Sequence, residues 1–314
     1  MKKLIEISAP DFDLAMTLDS GQVFHWQRAD NGFLGTIGDL PVYVEQRSEL
    51  LRTKVASASS RYPGNDAKDA HATIAHYFAL DHPLAEICAS FPADPIMTAA
   101  RDFCRGLRII RQPKWECLAT FICSSMKQLA HIRQISAALR NRFGDQREIG
   151  GRVLHTFPPA QQIARASEKQ LRECALGYRA KNLRATAQLV SSGECNLEAW
   201  SGLSDARLRE HLCALPGVGA KIANCVMLFA YDRLRAFPID VWIERVLRRH
   251  YFARRKKMTA RQLHEFSETY FGEHGGYAQQ YLFHHARTEG KGSMSKSKKK
   301  NCSAGQVVRA QGLG

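Results

Sequence analysis

The sequence predicts an α+β protein: an antiparallel β-rich N-terminal domain over residues 1–70, a helical body over residues 71–289 and a disordered basic tail over residues 290–314. Three observations point there. Residues 4–56 carry short apolar runs broken by turn residues, which reads as strands. From about residue 70 the apolar residues recur at helical spacing. After Glu289 the apolar content collapses into GKGSMSKSKKKNCSAG, too polar to bury a core. With 45% hydrophobic and 24% charged residues among 314, wholesale disorder and collagen-like architectures are excluded. No apolar run approaches the ~20 residues needed to span a bilayer. The start, MKKLIEISAPDFD, meets Glu6, Asp11 and Asp13 before an apolar segment forms, so no signal peptide is expected. A soluble, intracellular protein is expected.

The elements follow in order. Phe24 and Trp26 alternate with His25 and Gln27, and Asp30-Asn31-Gly32 supplies a tight turn. A strand is expected over Phe33–Ile37, a turn over Gly38–Pro41, and another strand at Val42-Tyr43-Val44. Leu118, Phe121, Ile122, Leu129, Ile132, Ile135 and Leu139 predict one amphipathic helix ending near Phe143-Gly144. Ser167-x-x-Gln170 and Thr259-x-x-Gln262 read as capping boxes that open further helices. The body leaves room for a helix that packs back on the N-terminal domain.

The net charge of +15 is unevenly spread. Residues 1–50 are net −4, residues 51–283 net +13, and residues 284–314 net +6. A basic body beside an acidic N-terminal part suggests a surface for phosphates. Nine cysteines stand at irregular spacings without a C-x-x-C pair, so neither a disulfide framework nor a zinc or iron–sulfur site is readable. Reduced, buried thiols are expected.

The sharpest local feature is LPGVGAKIA, residues 215–223. One helix ends, a Pro-Gly-x-Gly hairpin turns, and a second helix begins at once. Gly217 and Gly219 leave the backbone N–H groups of Gly217, Val218 and Gly219 uncovered near a helix N-terminus, a natural seat for a DNA phosphate. The bland reading is a tight turn without ligand. Lys221 lies in the first turn of the second helix, and Asp240 follows in FPIDVW, residues 237–242. Alone, a helical lysine is a solvated charge and an aspartate before an apolar run is an N-cap. Facing one cleft, the amine would be a nucleophile, and the carboxylate would stabilise a cationic sugar or move a proton.

Here the chain resembles the helix-hairpin-helix DNA glycosylases, and within them the 8-oxoguanine branch. The resemblance runs from about residue 4 to residue 287. Besides LPGVGAKIANC and FPIDVW it rests on DSGQVFHW at 19–26, ECLATFICSS at 116–125, LGYRA at 176–180 and AQQYLF at 278–283. It implies an all-α helix-hairpin-helix glycosylase body acting on damaged double-stranded DNA, with abasic-site lyase activity through a lysine Schiff base. By that resemblance Lys221 attacks C1′ and Asp240 is the catalytic aspartate. The Gly21 carbonyl accepts from N7–H of 8-oxoguanine, a proton guanine lacks. Gln279 reads the Watson–Crick edge, and Phe283 and Cys225 stack on the two faces of the base. Tyr178 wedges into the gap left by the extruded base, with Arg179 near the orphaned partner. Gln128 and His131 lie on the partner-strand side.

The departures fall on that side and, for Trp242, at the pocket wall near the lesion's 5′ phosphate. Met126-Lys127-Gln128 stand where the best-known members have an Asn-rich run, His131 where an arginine usually reads cytosine, and Trp242 where a histidine follows the aspartate. Looser discrimination of the opposite base is therefore expected. Asp240 is expected near Lys221 without a tight salt bridge, because ion pairing would hold the lysine as ammonium, which has no lone pair with which to attack. The chemistry calls for no cofactor and no metal; a monomer without membrane contact is expected, nucleoid-associated in a bacterial cytoplasm or nuclear in a eukaryote. Two other readings compete: a broader alkylpurine glycosylase using water in place of lysine, and a catalytically idle DNA-binding module. A lesion panel separates the first, and the absence of any base release would mark the second.

Overall fold

The computed structural model describes residues 5–55, 67–253 and 258–289. The expected tail at 290–314 and the basic cluster Arg254–Lys257 lie outside these residues.

The N-terminal part is a five-stranded antiparallel sheet in the order β1-β5-β4-β3-β2, built from β1 (Ile5–Ser8), β2 (Gln27–Ala29), β3 (Gly32–Ile37), β4 (Leu40–Arg47) and β5 (Leu50–Val55). The turn at Asp30 and Asn31 sets β2 against β3, pairing Ala29 with Gly32. One sheet face buries Ile7, Phe33, Val42, Val44 and Leu51. Against it pack α1 (Leu14–Asp19) through Leu14 and Leu18, and α2 (Ala67–Tyr77) through Ile74 and Tyr77. Each such side chain contributes roughly 1.5–3 kcal/mol on burial. α2 is thus the helix that packs back on the sheet. α1 escaped the strand pattern of residues 4–56; its signal is Asp13, whose side chain accepts from Met16 N at 2.8 Å as N-cap.

The body begins with α3 (Leu84–Ala89) and α4 (Pro95–Phe103). The single helix expected from Leu118 to Leu139 is two: α5 (Lys114–Ser124) and α6 (Leu129–Phe143). Ser125 is extended, with ψ 125°, and Met126 sits in the left-handed region at φ 53°. Periodicity could not see this break, because the loop leaves the apolar stripe in phase on both sides.

A hairpin of β6 (Gln146–Ile149) and β7 (Arg152–His155) then turns at Gly150-Gly151 and lays Ile149 and Leu154 on Ala29 and Leu34 of the sheet. Beside it a buried charge cluster joins sheet to body. Arg140 of α6 donates to Glu116 of α5, to Thr36 Oγ1 of β3 at 2.9 Å and to the His155 carbonyl at 3.2 Å. His25 stands 3.4 Å from the same carboxylate. Burial pushes the His25 imidazole well below its usual value and the Glu116 carboxyl above its own.

α7 (Ala160–Arg165), α8 (Glu168–Glu173) and α9 (Arg179–Ser192) follow, then α10 (Asp205–Cys213), α11 (Ala220–Ala230), α12 (Val241–Val246) and α13 (Ala260–Tyr270). Both expected capping boxes form, at Ser167 and at Thr259. α11 is apolar nearly all round and buried from Ile222 to Phe229, as a central helix must be. The last helix among the described residues, α14, spans residues 275–289. Its start passes so close to the preceding chain that a Cβ on Gly276 would stand 2.3 Å from Leu228 Cδ1 and 2.8 Å from the Ala236 carbonyl. Only glycine permits that approach, and it sets how far α14 reaches over α11.

Candidate active site

Where α14 crosses α11, a cavity of about 530 Å³ opens between sheet and body. That is ample for one nucleobase. Lys221, Cys225 and Phe229 of α11 line it, with Asp240 at the start of α12, Gln279 and Phe283 of α14, and Gly21 from the strap after α1. Six positions named from the sequence, drawn from four stretches of chain, therefore meet in one pocket, and Gln128 lies at its edge.

Lys221 comes first in chemistry. Its Nζ sits 5.2 Å from the Phe121 ring centre, and Phe121 stacks on Phe229 at 5.5 Å. Asp240 shares the cavity without forming an ion pair with Lys221, as expected. The N-cap reading of Asp240 holds: one carboxylate oxygen accepts from Ile243 N at 2.8 Å at the start of α12. Burial raises its carboxyl above the usual range, while the Ile243 N–H and the Lys221 ammonium pull it back. Burial likewise raises the Cys225 thiol.

Gln279 carries the most telling polar atom. Its side chain is only 4% exposed, and its Oε1 has no hydrogen-bond partner. A buried amide oxygen left open costs about 1–3 kcal/mol, which a ligand's donor would recover. Gly21 lies against Phe283 and Leu129, with φ +94°. A Cβ there would come within 3.2 Å of the Phe283 ring and strain the backbone.

The mouth is different. Met126 is 93% and Tyr178 59% exposed, two large apolar side chains in water. Gln128, which lines the cavity, and His131 are also exposed. Arg179 is 5% exposed, and its guanidinium donates to the carbonyls of Ser125 and Leu176 while lying 4.3 Å from the Tyr178 ring centre. Its donors hold the Ser125 carbonyl of the loop that carries Met126.

The hairpin lies apart from the cavity. Val218 is buried as its anchor, and its N–H, expected to be open, donates to the Leu215 carbonyl at 3.1 Å to close the turn. Thr186 Oγ1 donates to the Pro216 carbonyl at 3.0 Å, and Gly217, Gly219 and Ala220 are exposed. The N-terminus of α11 carries no side-chain cap, so its amides remain open. Phe24, Phe121 and Trp242 also line the pocket. The first two were legible only as apolar periodicity.

Residues 4–118 match the 8-oxoguanine DNA glycosylase N-terminal domain, and residues 119–269 the HhH-GPD superfamily of base excision DNA repair proteins. An N-glycosylase/DNA lyase of Saccharomyces cerevisiae is 30% identical over 268 residues, covering 79% of this chain and 70% of that one. A probable N-glycosylase/DNA lyase of Methanothermobacter thermautotrophicus is 29% identical over 310 residues, 91% and 97% of the two chains. The 8-oxoguanine glycosylase/lyase of Clostridium acetobutylicum, solved with double-stranded DNA containing cytosine opposite 8-oxoguanine, superposes with a TM-score of 0.82 at 29% identity, covering 92% of this chain and 97% of that one.

Proposed function

Because the chain belongs to the 8-oxoguanine DNA glycosylases of the helix-hairpin-helix superfamily, and is thus a bifunctional N-glycosylase/DNA lyase acting on DNA, we propose how its residues divide the work. Lys221 Nζ attacks C1′ of the extruded nucleotide as the C1′–N9 bond breaks. The departing base takes up a proton. The sugar ring opens, and the same nitrogen forms a Schiff base to C1′. Loss of a C2′ proton then expels the 3′ phosphate by β-elimination. Asp240, beside but not paired with Lys221, stabilises the positive charge that grows on the sugar.

The lesion is read by buried groups. Phe283 and Cys225 flank the base, the Gln279 amide meets its Watson–Crick edge, and the Gly21 carbonyl accepts from N7–H. Extrusion costs a few kcal/mol. Tyr178 offsets part of it by filling the gap, and the exposed amides of Gly217 and Gly219 hold a phosphate. The observation that carries this reading is the unpartnered Gln279 Oε1 in the same cavity as Lys221 and Asp240. On the partner side, Met126, Gln128 and His131 bring no arginine to read cytosine, so discrimination of the opposite base is loose. The protein acts as a monomer.

The test is borohydride trapping on an 8-oxoguanine duplex. A covalent protein–DNA adduct is expected from the native chain and none from Lys221→Gln; normal trapping by that variant would overturn the nucleophile assignment.

A further inference from the structure

The strap that brings Gly21 to the pocket is held one carbonyl at a time. Arg287 Nη2 donates to the Asp19 carbonyl at 2.8 Å, and Gln280 Nε2 to the Ser20 carbonyl at 3.2 Å. Gln112 Nε2 donates to the Gln22 carbonyl at 2.8 Å. The Gln22 side chain is itself spent inward: its amide nitrogen donates to the Arg108 carbonyl at 2.8 Å, and its amide oxygen accepts from Ile110 N at 2.7 Å. Of the four consecutive carbonyls from Asp19 to Gln22, only that of Gly21 accepts no hydrogen bond among the described residues. Gly21 is also the one of the four that lines the cavity.

Two of the three donors come from α14, the helix that carries Gln279 and Phe283. Residues 279 and 283 are four apart and share the face toward the base. Gln280, which also borders the cavity, and Arg287 are seven apart and both turn toward the strap. One rigid helix therefore positions the base-reading side chains and the backbone facing them.

We propose that Gln280 and Arg287 are positioning residues for lesion specificity: by occupying the Ser20 and Asp19 carbonyls they leave the Gly21 carbonyl as the one strap acceptor for the base. This rests on the reading that Gly21 recognises N7–H. A carbonyl discriminates by one proton only while it is held to within about 0.5 Å of the productive geometry. Remove the Gln280 donor, and the buried Ser20 carbonyl must find another partner. The strap then shifts, taking Gly21 with it. Lys221 and Asp240 belong to other elements and stay where they are.

The experiment compares native protein with Gln280→Met, an isostere that cannot donate, under single-turnover conditions. Three duplexes are used, carrying 8-oxoguanine, 8-methoxyguanine (which lacks N7–H) or a preformed abasic site. Gln280→Met is expected to slow 8-oxoguanine excision about tenfold, the size of one lost buried hydrogen bond, and to narrow the preference over 8-methoxyguanine by the same factor. Cleavage at the abasic site, which needs no base recognition, stays within about twofold. Arg287→Met follows the same pattern, and Arg287→Lys, which keeps a donor, recovers part of the loss. Unchanged excision by Gln280→Met, or an equal slowing of excision and abasic cleavage, overturns the proposal. If the native protein excises 8-methoxyguanine as fast as 8-oxoguanine, the Gly21 reading itself fails, whatever the variants do. If the native preference is strong and Gln280→Met keeps it in full, only the positioning role fails.

Discussion

On the inner wall of the pocket, Gln279, Phe283 and Cys225 are buried, and the strap bearing Gly21 is hydrogen-bonded on either side of that residue. Outside that wall, Met126, Gln128, His131 and Tyr178 stand in water, and the loop that carries Met126 is held through its backbone, by Arg179 at the Ser125 carbonyl and by Lys127 N at the Ser124 carbonyl. The wall pays its ordering cost on folding, so it can set one hydrogen bond against another with precision. The rim keeps its side-chain freedom until DNA arrives. It can fill space, which any base pair tolerates, better than it can read an edge. The contrast assigns lesion specificity to the wall and duplex opening to the rim.

The contrast can be broken in several places. Lys221→Gln removes the nucleophile and is expected to lower excision by on the order of 10⁴-fold or more while 8-oxoguanine duplexes still bind. Substantial residual excision in a single-turnover assay would mean that water attacks instead.

Asp240→Asn comes next, with an expected loss of about 10²–10³-fold. It also has a pH signature. Burial raises the Asp240 carboxyl, and the charged form is the active one, so native excision falls as pH drops through that raised value. The acid limb therefore lies above the ordinary aspartate pKa of about 3.9, and Asp240→Asn abolishes it. The same shift bears on stability: the folded state holds this proton more tightly than the unfolded chain, so Asp240 costs stability as pH rises toward neutrality. Asp240→Asn is then expected to melt slightly higher than the native protein at pH 7, offset by any weakening of the cap at Ile243. A limb that persists unmoved in the variant would assign it to another group.

Wall and rim part most cleanly in a paired comparison. Gln279→Ala is expected to slow 8-oxoguanine excision roughly tenfold or more and to spare cleavage of a preformed abasic site, since no base remains to be read. Tyr178→Ala is expected to weaken both by about tenfold through lost stacking, alike for every opposite base. Opposite-base-specific loss in Tyr178→Ala would give the rim a reading role.

The smallest effect concerns the opposite base itself. Excision with cytosine or adenine across from the lesion is expected to differ by less than about tenfold, well short of what a bidentate arginine contact at about 1–3 kcal/mol supports once several such contacts add. A steep preference for cytosine in duplex time courses would show that Met126, Gln128 or His131 discriminates after all.

Much of this was legible beforehand, for identifiable reasons. The hairpin at residues 215–219, the capping boxes at Ser167 and Thr259, and the N-cap at Asp240 depend on residues within a few positions of each other, so composition and spacing carry them. The roles of Gly21, Gln279 and Phe283 rested on resemblance to a family, and the fold supports them by bringing all three to one cavity. Helix α1 and the break at Ser125-Met126 stayed hidden, because neither disturbs the apolar pattern. The contact of Arg179 with the Ser125 carbonyl was not legible either, because that partner lies 54 residues away.

Local chemistry thus settles which segments turn, start helices and stay apolar in this chain, since each such choice is made by neighbours along the backbone. Tertiary structure alone decides which polar groups are left over. Gln280 and Gln279 are adjacent and chemically identical. One is spent on the Ser20 carbonyl 260 residues away, and the other keeps an open amide oxygen in the pocket. Hydrogen bonds between distant strands of chain consume most buried donors and acceptors. The few left open become the site.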